Sequence, residues 1–404
     1  MTTLTKLKRA LALATSLFFV ACDNGDDPTT SNALLTLEVD ASYTDGIDNW
    51  IFISDMSGEL LDVKPFSKGQ TITLSSAKAV DKLNVTFFQV TDLYGVKQLL
   101  FRSFTQIDRN TTLKLNLPDV PEQNTGGTIA RMEIQIANYE DVTGTLQFSG
   151  SHGSTYSDAN GTRTFKFLAN QTPSDILISG YRSESPVYSW ANGTKENVPV
   201  MQDFSQFTEY PKLIHLDFPG VNSGYIAAYN DALGDPYPLC DTRRLESDAP
   251  DHPVLGYMDG FKRYDLFIKN VTASGTVQYS RSGSVVNANI TMPTYTFAAK
   301  SKSLNNFSFD FSLDYTYFYA GWEYEMDDNK ITWFVYSLDD FAVASSFPPD
   351  IVAKYPQLDF SKLKYSSCNF FQRLDQVRYP DMVTGLVVPR KNFSFEYYYI
   401  APAN

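Results

Sequence analysis

Short runs in which apolar and polar residues alternate dominate this chain, and helical periodicity is nearly absent. Alternation with period two puts successive side chains on opposite faces of a strand, whereas a helix repeats its apolar face every three to four residues. Gly, Asn, Asp and Ser clusters, which favour turns, separate the runs. The pattern predicts an all-β protein made of antiparallel β-sandwich domains in tandem, with little helix.

The longest alternating run covers residues 306–319, where an aromatic or apolar side chain stands at every odd position from Phe307 to Tyr319. Fourteen residues at ~3.3 Å each predict a strand of about 45 Å with one apolar and one polar face. Because so long an apolar stripe would promote aggregation if exposed, we expect Phe309, Phe311 and Tyr315 to face a core. The similar run 393–399 is a candidate neighbour in the same sheet.

Two stretches depart from the strand pattern. Residues 349–354 begin with Pro and Asp, which suit the first turn of a helix, and this predicts one short helix. Residues 230–260 contain several prolines and look loop-like.

The distribution of turn and linker residues suggests how the chain is divided. Residues 33–117 carry the first series of strand signals and predict an N-terminal β-sandwich domain. Residues 118–127 are rich in Pro, Gly and polar residues and predict a flexible linker between independently folded domains. Residues 128–404 then form a β-rich C-terminal region, as one large domain or as two with a boundary near 230–260.

The N-terminus has the order of a secretory signal: cationic Lys6, Lys8 and Arg9, then an apolar run that ends at Cys22. The run is too short to cross a bilayer. Its end, Phe-Val-Ala-Cys, resembles the lipobox of bacterial lipoproteins, although Leu is commoner than Phe at position 19. The resemblance implies that residues 1–22 are a lipoprotein signal peptide ending at the modified Cys22, which carries diacylglycerol and an N-acyl chain such as palmitate. Several chains on one residue hold a protein durably on a membrane.

Residues 23–32 are polar and acidic, and they predict a flexible tether behind the lipid. Acidic residues at this place resemble the export signal of Bacteroidetes-type surface lipoproteins, and the abundance of Tyr, Phe, Asn and Thr agrees with that reading. The alternative is that Asp23 resembles the inner-membrane retention signal of enterobacteria. We expect a lipid-anchored protein of the cell outer membrane, exposed at the cell surface.

The chain carries a formal net charge of −13, and the first 22 residues hold three positive charges and no negative ones, so the remainder stands at −16. An acidic balance of this size disfavours nucleic acid and anionic lipid as partners. Apart from Cys22, only Cys240 and Cys368 are present. In an oxidising compartment they form either a disulfide or two buried free thiols, and the sequence leaves both open.

No set of residues forms a recognisable catalytic motif. The histidines at 152, 215 and 252 have no metal-ligand spacing, and the chain lacks a phosphate-binding loop, a dinucleotide fingerprint and a zinc-protease motif. We therefore expect no cofactor and no metal. Glu323 and Glu325 point the same way along a strand, beside Trp322 and Tyr324. Such a pair resembles the carboxylates of a glycosidase, and it also resembles an exposed strand end.

Five aromatic residues stand in less regular contexts and are candidates for exposed, ligand-facing rings: Tyr188, Trp190, Tyr225, Tyr229 and Tyr237. The leading hypothesis is a non-enzymatic surface lipoprotein that binds polysaccharide or another protein, or that serves as a structural part of the envelope. The alternatives are a surface glycoside hydrolase using carboxylates near Glu323 and Glu325, and a fimbrillin-like pilus subunit.

Overall fold

The computed structural model describes residues 32–43, 46–115, 130–169, 175–230, 235–245, 252–326, 329–384 and 394–403. Nearly all of the regular structure in these ranges is strand, which confirms the predicted all-β fold. The proposed lipidation site Cys22, most of the tether and the linker 118–127 lie outside them. Among the described residues, neither of the two α-helices has the length and apolar character needed to cross a membrane.

Residues 33–115 form seven strands that build two layers. They are β1 (Ala33–Val39), β2 (Asp48–Ser54), β3 (Leu60–Pro65), β4 (Thr71–Ser75), β5 (Lys82–Leu93), β6 (Val96–Asp108) and β7 (Thr111–Leu115). One layer is the three-stranded sheet β4-β1-β7, and the other contains β3, β2, β5 and β6.

Residues 130–209 form a sandwich of two four-stranded sheets, ordered β10-β11-β8-β14 and β15-β13-β12-β9. Its strands are β8 (Ala130–Ala137), β9 (Val142–Phe148), β10 (Ser151–Ala159), β11 (Thr162–Ala169), β12 (Asp175–Arg182), β13 (Ser185–Asn192), β14 (Val200–Asp203) and β15 (Thr208–Glu209). The buried sandwich cluster between these sheets includes Ile134, Phe148, Ile176 and Ile178.

The rest of the chain adds twelve strands and two short helices. The strands are β16 (Lys212–His215), β17 (Val221–Tyr229), β18 (Tyr237–Asp241), β19 (Val254–Tyr257), β20 (Arg263–Thr272), β21 (Gly275–Gly283), β22 (Phe297–Ser303), β23 (Asn306–Phe311), β24 (Tyr317–Met326), β25 (Asn329–Ser337), β26 (Lys364–Arg373) and β27 (Phe395–Pro402). The helices are α1 (Pro349–Lys354) and α2 (Tyr379–Thr384). Helix α1 confirms the helix predicted at 349–354.

One twelve-stranded sheet joins the two ends of the chain, in the order β18-β17-β20-β21-β27-β26-β24-β25-β6-β5-β2-β3. Its strands pair antiparallel except at the junction of β25 with β6, which is parallel and runs from Asn329↔Lys97 to Tyr336↔Phe104. The N-terminal segment is therefore not a self-contained sandwich. Its larger layer continues directly into the C-terminal strands, because β6 has a strand partner more than two hundred residues away.

The two faces of this sheet are covered differently. On the first face, the β22-β23 hairpin and α1 enclose a central cluster that includes Trp322, Trp333 and Phe370. Further along the same face, strands β16 and β19 and the sandwich sheet enclose a junction cluster that includes Leu177 and Tyr279. On the second face, the sheet β4-β1-β7 and α2 enclose an N-terminal cluster over β2, β5 and β6.

The alternating run 306–319 is divided between two strands, and this corrects the prediction of a single long strand. Strand β23 ends at Phe311 and pairs with β22, whereas β24 begins at Tyr317 and belongs to the twelve-stranded sheet. Phe309, Phe311 and Tyr315 pack against the central cluster, as expected. The C-terminal run forms β27, which lies in the same sheet as β24 but is separated from it by β26.

The structure decides between the two alternatives for the cysteines and corrects the expected loop at residues 230–260. Cys240 and Cys368 are free buried thiols, in the junction cluster and the central cluster respectively, so no disulfide joins them. Residues 230–260 are not all loop, since β18 and β19 lie within this stretch and both pair with neighbouring strands.

Candidate functional site

The second face of the twelve-stranded sheet carries a row of aromatic side chains beyond the part that the N-terminal sheet covers. Strand register places Tyr225 opposite Phe267, Phe267 opposite Ser280, and Ser280 opposite Tyr397. The same face continues to Tyr399, which pairs with Phe371. The set, called the aromatic face below, comprises Tyr225, Phe267, Tyr319, Phe334, Tyr336, Phe371, Phe395, Tyr397 and Tyr399.

Neighbouring rings of the aromatic face contact one another in tilted arrangements, both along one strand and between strands. Ring centroids lie 5.7 Å apart for Phe395 and Tyr397, and 5.9 Å for Tyr397 and Phe371. Tyr319 lies 5.3 Å from Tyr336, and the hydroxyls of Tyr319 and Tyr399 are 3.2 Å apart. These distances are typical of favourable aromatic pairs, so the rings hold each other in fixed positions.

The aromatic face is broad and partly open. It spans the seven strands from β17 to β25, or roughly 30 Å at the usual strand spacing. Every one of its rings is half-buried, and among the described residues only Tyr336 and Phe371 pack against a buried cluster, the N-terminal one. A broad, partly open apolar surface is a candidate for binding a ligand or a partner.

A cavity of about 250 Å³ lies where the aromatic face crosses β17, β20, β21 and β27. Rings from Tyr225, Phe267 and Tyr397 line it, together with polar residues. The polar lining comes from Arg263, Asp265, Gln278, Ser280, Arg281 and Ser282. Aromatic surface combined with a few convergent polar groups is the usual composition of a small-molecule site.

Arg263 and Asp265 line this cavity, and each has one side-chain atom that is buried without a hydrogen bond. Nε of Arg263 lies 3.6 Å from Oδ1 of Asp265, which is too long for a hydrogen bond, and both atoms are buried without a hydrogen-bond partner. Buried polar atoms in native proteins are nearly always hydrogen-bonded, so an unpaired donor facing an unpaired acceptor calls for an explanation.

The surroundings fix these two side chains. The guanidinium of Arg263 lies 3.9 Å from the centre of the Tyr229 ring. Burial, followed by the charge of Asp265 and a hydrogen bond to it, raises the pKa of Tyr229 to about 12. Tyr229 is therefore a neutral hydroxyl at physiological pH, and it supports the Arg263–Asp265 pair without adding charge.

The other charges near the cavity are already paired. Arg243 lies over the Tyr225 ring at 4.2 Å and forms two hydrogen bonds with the carboxylate of Asp241. Arg281 forms an ion pair of 3.0 Å with Glu396. The charged side chains that line the cavity itself are Arg263, Asp265 and Arg281.

The structure separates the five aromatic residues predicted to face a ligand. Tyr225 and Tyr229 lie at this cavity and beside it. Tyr188, Trp190 and Tyr237 instead pack against the junction cluster, where the sandwich meets the large sheet. Tyr188 and Trp190 lie in β13 and Tyr237 lies in β18, so none of the three is in a loop, and their rings fill an interface between sheets.

Glu323 and Glu325 are not brought together with aromatic rings in a cleft. Glu323 forms an ion pair of 3.2 Å with Lys330, and Glu325 is exposed. Trp322 is buried in the central cluster and Tyr324 packs against that cluster, on the opposite side of the strand. Within the ranges that the structure describes, no group of three or more His, Cys, Asp or Glu side chains is arranged to hold a metal.

Most residues of the site were not predicted from the sequence, although the strands that carry them show a regular alternating pattern. Residues 263–269 alternate strictly, with Tyr264, Leu266 and Ile268 buried and the intervening Arg263, Asp265 and Phe267 half-buried. In β27 both faces carry rings, and Ile400 faces the core while Tyr397 and Tyr399 lie on the aromatic face. Alternation separates two faces, but it does not indicate which of two aromatic faces is the buried one.

A larger cavity of about 590 Å³ lies on the outer side of the sandwich, and its chemistry is less distinctive. Its lining includes Glu133 and Lys166, which form an ion pair of 3.4 Å, and one ring, Phe167, which is itself buried in the sandwich cluster. No face is left on which a planar ligand would stack. The aromatic face and its cavity are therefore the strongest candidate site.

No family model matches this chain, and no curated protein or solved structure matches it.

Proposed function

We propose that this chain is a surface-exposed lipoprotein of the outer membrane, held by a lipid on Cys22, which binds a polysaccharide on its aromatic face without modifying it. The observation that carries the proposal is the row of mutually packed, half-buried rings across the second face of the large sheet. The lipobox-like end of the signal, described above, supports the location.

A pyranose ring has a flat apolar surface of C–H bonds and an edge of hydroxyls, so it stacks on Tyr, Trp and Phe and leaves its hydroxyls to polar neighbours. Rings held at fixed spacing lose little conformational entropy when such a chain binds. A face roughly 30 Å wide suits several successive sugar units rather than one. Polysaccharide is thus the ligand whose chemistry fits both the width and the composition of the surface.

The described residues around Glu323 give the glycosidase alternative no support, because Glu323 is ion-paired with Lys330 and its aromatic neighbour Trp322 lies in the central cluster. Binding without hydrolysis is the simpler function for this face. A lipid anchor followed by a polar tether would present the face to soluble or cell-wall polymers outside the membrane.

A glycan array probed with residues 33–404 tests the proposal, followed by affinity measurements on any polysaccharide that binds. Tyr397→Ala and Tyr319→Ala should each weaken binding about tenfold, since one favourable ring contact contributes up to about 1.5 kcal/mol. Tyr156→Ala is the matched control, because Tyr156 is 64% exposed but lies on the outer sheet of the sandwich. Equal binding by all variants, or no glycan bound at all, would refute the proposal.

A further inference from the structure

We propose that the cavity at the β17-β20-β21-β27 end of the aromatic face is a slot in which one sugar ring stands on edge, with an aromatic ring against each of its two faces. Such a slot selects β-linked sugars of the gluco configuration, because both faces of these rings carry only C–H groups. This inference rests on the proposed function and names the class of sugar that the face accepts.

The slot forms because β21 carries a small side chain between two strands that carry rings. Phe267 on β20 pairs with Ser280, and Ser280 pairs with Tyr397 on β27, so the serine lies directly between the two rings. Ser280 is short and buried, and the space above it is the cavity of about 250 Å³ that all three residues line. This volume lies just below the range typical of drug-sized ligands and suits one sugar unit.

Each wall ring is covered by a neighbour on the side away from β21. The ring of Tyr225, on β17, stacks on Phe267 at 5.5 Å with an interplanar angle of 23°. The guanidinium of Arg373, on β26, lies 5.2 Å from the centre of the Tyr397 ring. Because these neighbours cover the outer faces, the faces of Phe267 and Tyr397 that remain available are the ones turned towards β21.

An ion-paired arginine backs each wall of the slot. Arg243 lies 4.2 Å from the centre of the Tyr225 ring and donates two hydrogen bonds to the Asp241 carboxylate. Arg373 donates two hydrogen bonds to the carboxylate of Asp375. The walls are therefore held in place before a ligand enters, so binding costs little further ordering of side chains.

The width of the slot matches one ring stacked on both sides. Strands β20 and β27 are separated only by β21, so their backbones lie roughly 9.5 Å apart. Carbon atoms in contact lie ~3.5–4.0 Å apart, so a ring between two walls needs roughly 7–8 Å between them. Side chains stand nearly perpendicular to a sheet, so the two wall rings keep a separation close to that of their strands.

Two-sided stacking constrains the configuration of the sugar. In a β-1,4-linked gluco unit every hydroxyl and both glycosidic oxygens are equatorial, so each ring face presents only C–H groups. An axial hydroxyl, such as the one at C2 of a manno unit, would stand against one wall, where it keeps the ring away and loses its water partners. Equatorial hydroxyls instead point along the slot, to solvent and to the polar floor of Gln278, Ser280 and Ser282.

The floor also gives the direction of a bound polymer. Ser282 pairs with Phe395 and Gln278 pairs with Tyr399, one step along β21 on either side of the slot. A polymer that lies along β21 therefore has one unit held on both faces, and a ring of β27 stands beside each neighbouring unit.

The wild-type protein is tested first, by calorimetry with cellohexaose and with β-1,4-linked mannohexaose. The two hexamers have the same length and linkage and differ only in the configuration at C2 of each unit. We expect cellohexaose to bind about tenfold more tightly than mannohexaose, or better. Equal affinity, or a preference for mannohexaose, would overturn the two-sided slot.

Ser280→Phe is the decisive variant, because its side chain would fill the space between Phe267 and Tyr397 without removing either wall. We expect it to weaken binding of cellohexaose by about tenfold or more. Ser157→Phe, which makes the same change at an exposed position of β10 in the sandwich, is the matched control and should bind as the wild type does. Thermal melts establish that both variants are folded. If Ser280→Phe is not, the comparison of the two hexamers on wild-type protein decides the proposal.

The outcomes separate the two proposals. If Tyr397→Ala loses binding while Ser280→Phe binds normally, the slot is wrong and polysaccharide binding stands. If neither hexamer binds but the glycan array yields another polysaccharide, the slot again fails alone. If the array yields no polysaccharide either, both proposals fail.

Discussion

Phe370 shows how single residues organise the centre of this protein. Phe311 stacks on it in parallel at 3.8 Å, and the rings of Phe309 and Tyr315 approach it at 5.2 and 5.3 Å. Each of these three rings belongs to the alternating run 306–319. The run makes a turn between Phe311 and Tyr315, so residues on both sides of the turn reach the same ring.

Burial differs along this run, and the loss of stability on truncating a ring should be larger where the ring is more deeply buried. Phe307 is completely buried, so Phe307→Ala should lower the free energy of unfolding by about 3–5 kcal/mol. Phe311 is half-buried, and Phe311→Ala should cost about 2 kcal/mol. Chemical denaturation measures both, with Tyr94→Ala as the control, because Tyr94 is 98% exposed.

A different outcome for Phe311→Ala would change the assignment of the binding surface. A Phe311→Ala variant that unfolds like the wild type but loses polysaccharide binding would show that this ring contacts ligand rather than core. The proposed assignment of the binding surface to the second face of the sheet would then be wrong.

At the residue scale, core residues could be predicted from the sequence more easily than residues of the candidate site. Phe309, Phe311 and Tyr315 could be assigned to a core because a stripe of that length has to be buried. Arg263 and Asp265 could not be recognised, because a polar residue alternating with apolar ones is typical of any half-exposed strand. What distinguishes them is that their buried atoms lack hydrogen bonds, which depends on four strands brought together by the fold.

Elements set by local sequence were predicted well, and elements set by distant partners were not. Helix α1 forms where Pro349 and Asp350 begin it, since both favour a helix first turn. The break between β23 and β24 was missed because alternation continues through residues 312–316 while the chain changes sheets. Side chains of β23 and β24 pack into the same central cluster. The alternating pattern therefore continues across the break, although the two strands belong to different sheets.

The parallel pairing of β6 with β25 is the clearest long-range element. Phe101 stacks on Trp333 at 4.8 Å, and Phe104 stacks on Tyr336 at 4.9 Å. The local sequence of neither strand indicates that the other is its pairing partner. The linker composition of residues 118–127 therefore suggested a domain boundary, although the strands before it and far behind it share one sheet and one core.

This pairing predicts the behaviour of a nicked chain. If a protease site is introduced at residues 123–127 and cut, the two fragments should remain together, because the β6–β25 ladder and the central cluster hold them. Size-exclusion chromatography without and with denaturant measures this. Phe101→Asp, which would put a charge beside buried Trp333, should weaken the association of the cut chain. Fragments that separate freely under native conditions would restore the model of independent domains.

At the scale of the whole molecule, the proposed binding surface and the proposed anchor belong to different parts of the chain. The aromatic face lies on the seven strands from β17 to β25 of the large sheet, whereas the lipid would be attached at Cys22, before the tether that precedes β1. The proposed anchor and polar tether would keep the face close to the membrane while leaving it room to turn towards a polymer. The acidic net charge of the chain opposes its adsorption to anionic surfaces.

The anchor itself gives the last prediction. Cys22→Ser removes the only thiol of the lipobox-like motif, so the protein should remain unlipidated, with its signal uncleaved or misprocessed. Detergent phase partitioning should then move it from the detergent phase to the aqueous phase. Asp23→Asn is the matched control, because it keeps the cysteine and changes only the acidic residue beside it. This control should still partition into detergent, and surface labelling of the same variant tests whether the acidic residues direct export to the cell exterior. Equal partitioning of Cys22→Ser and wild type into detergent would show that the chain is held to the membrane by something other than a lipid on Cys22.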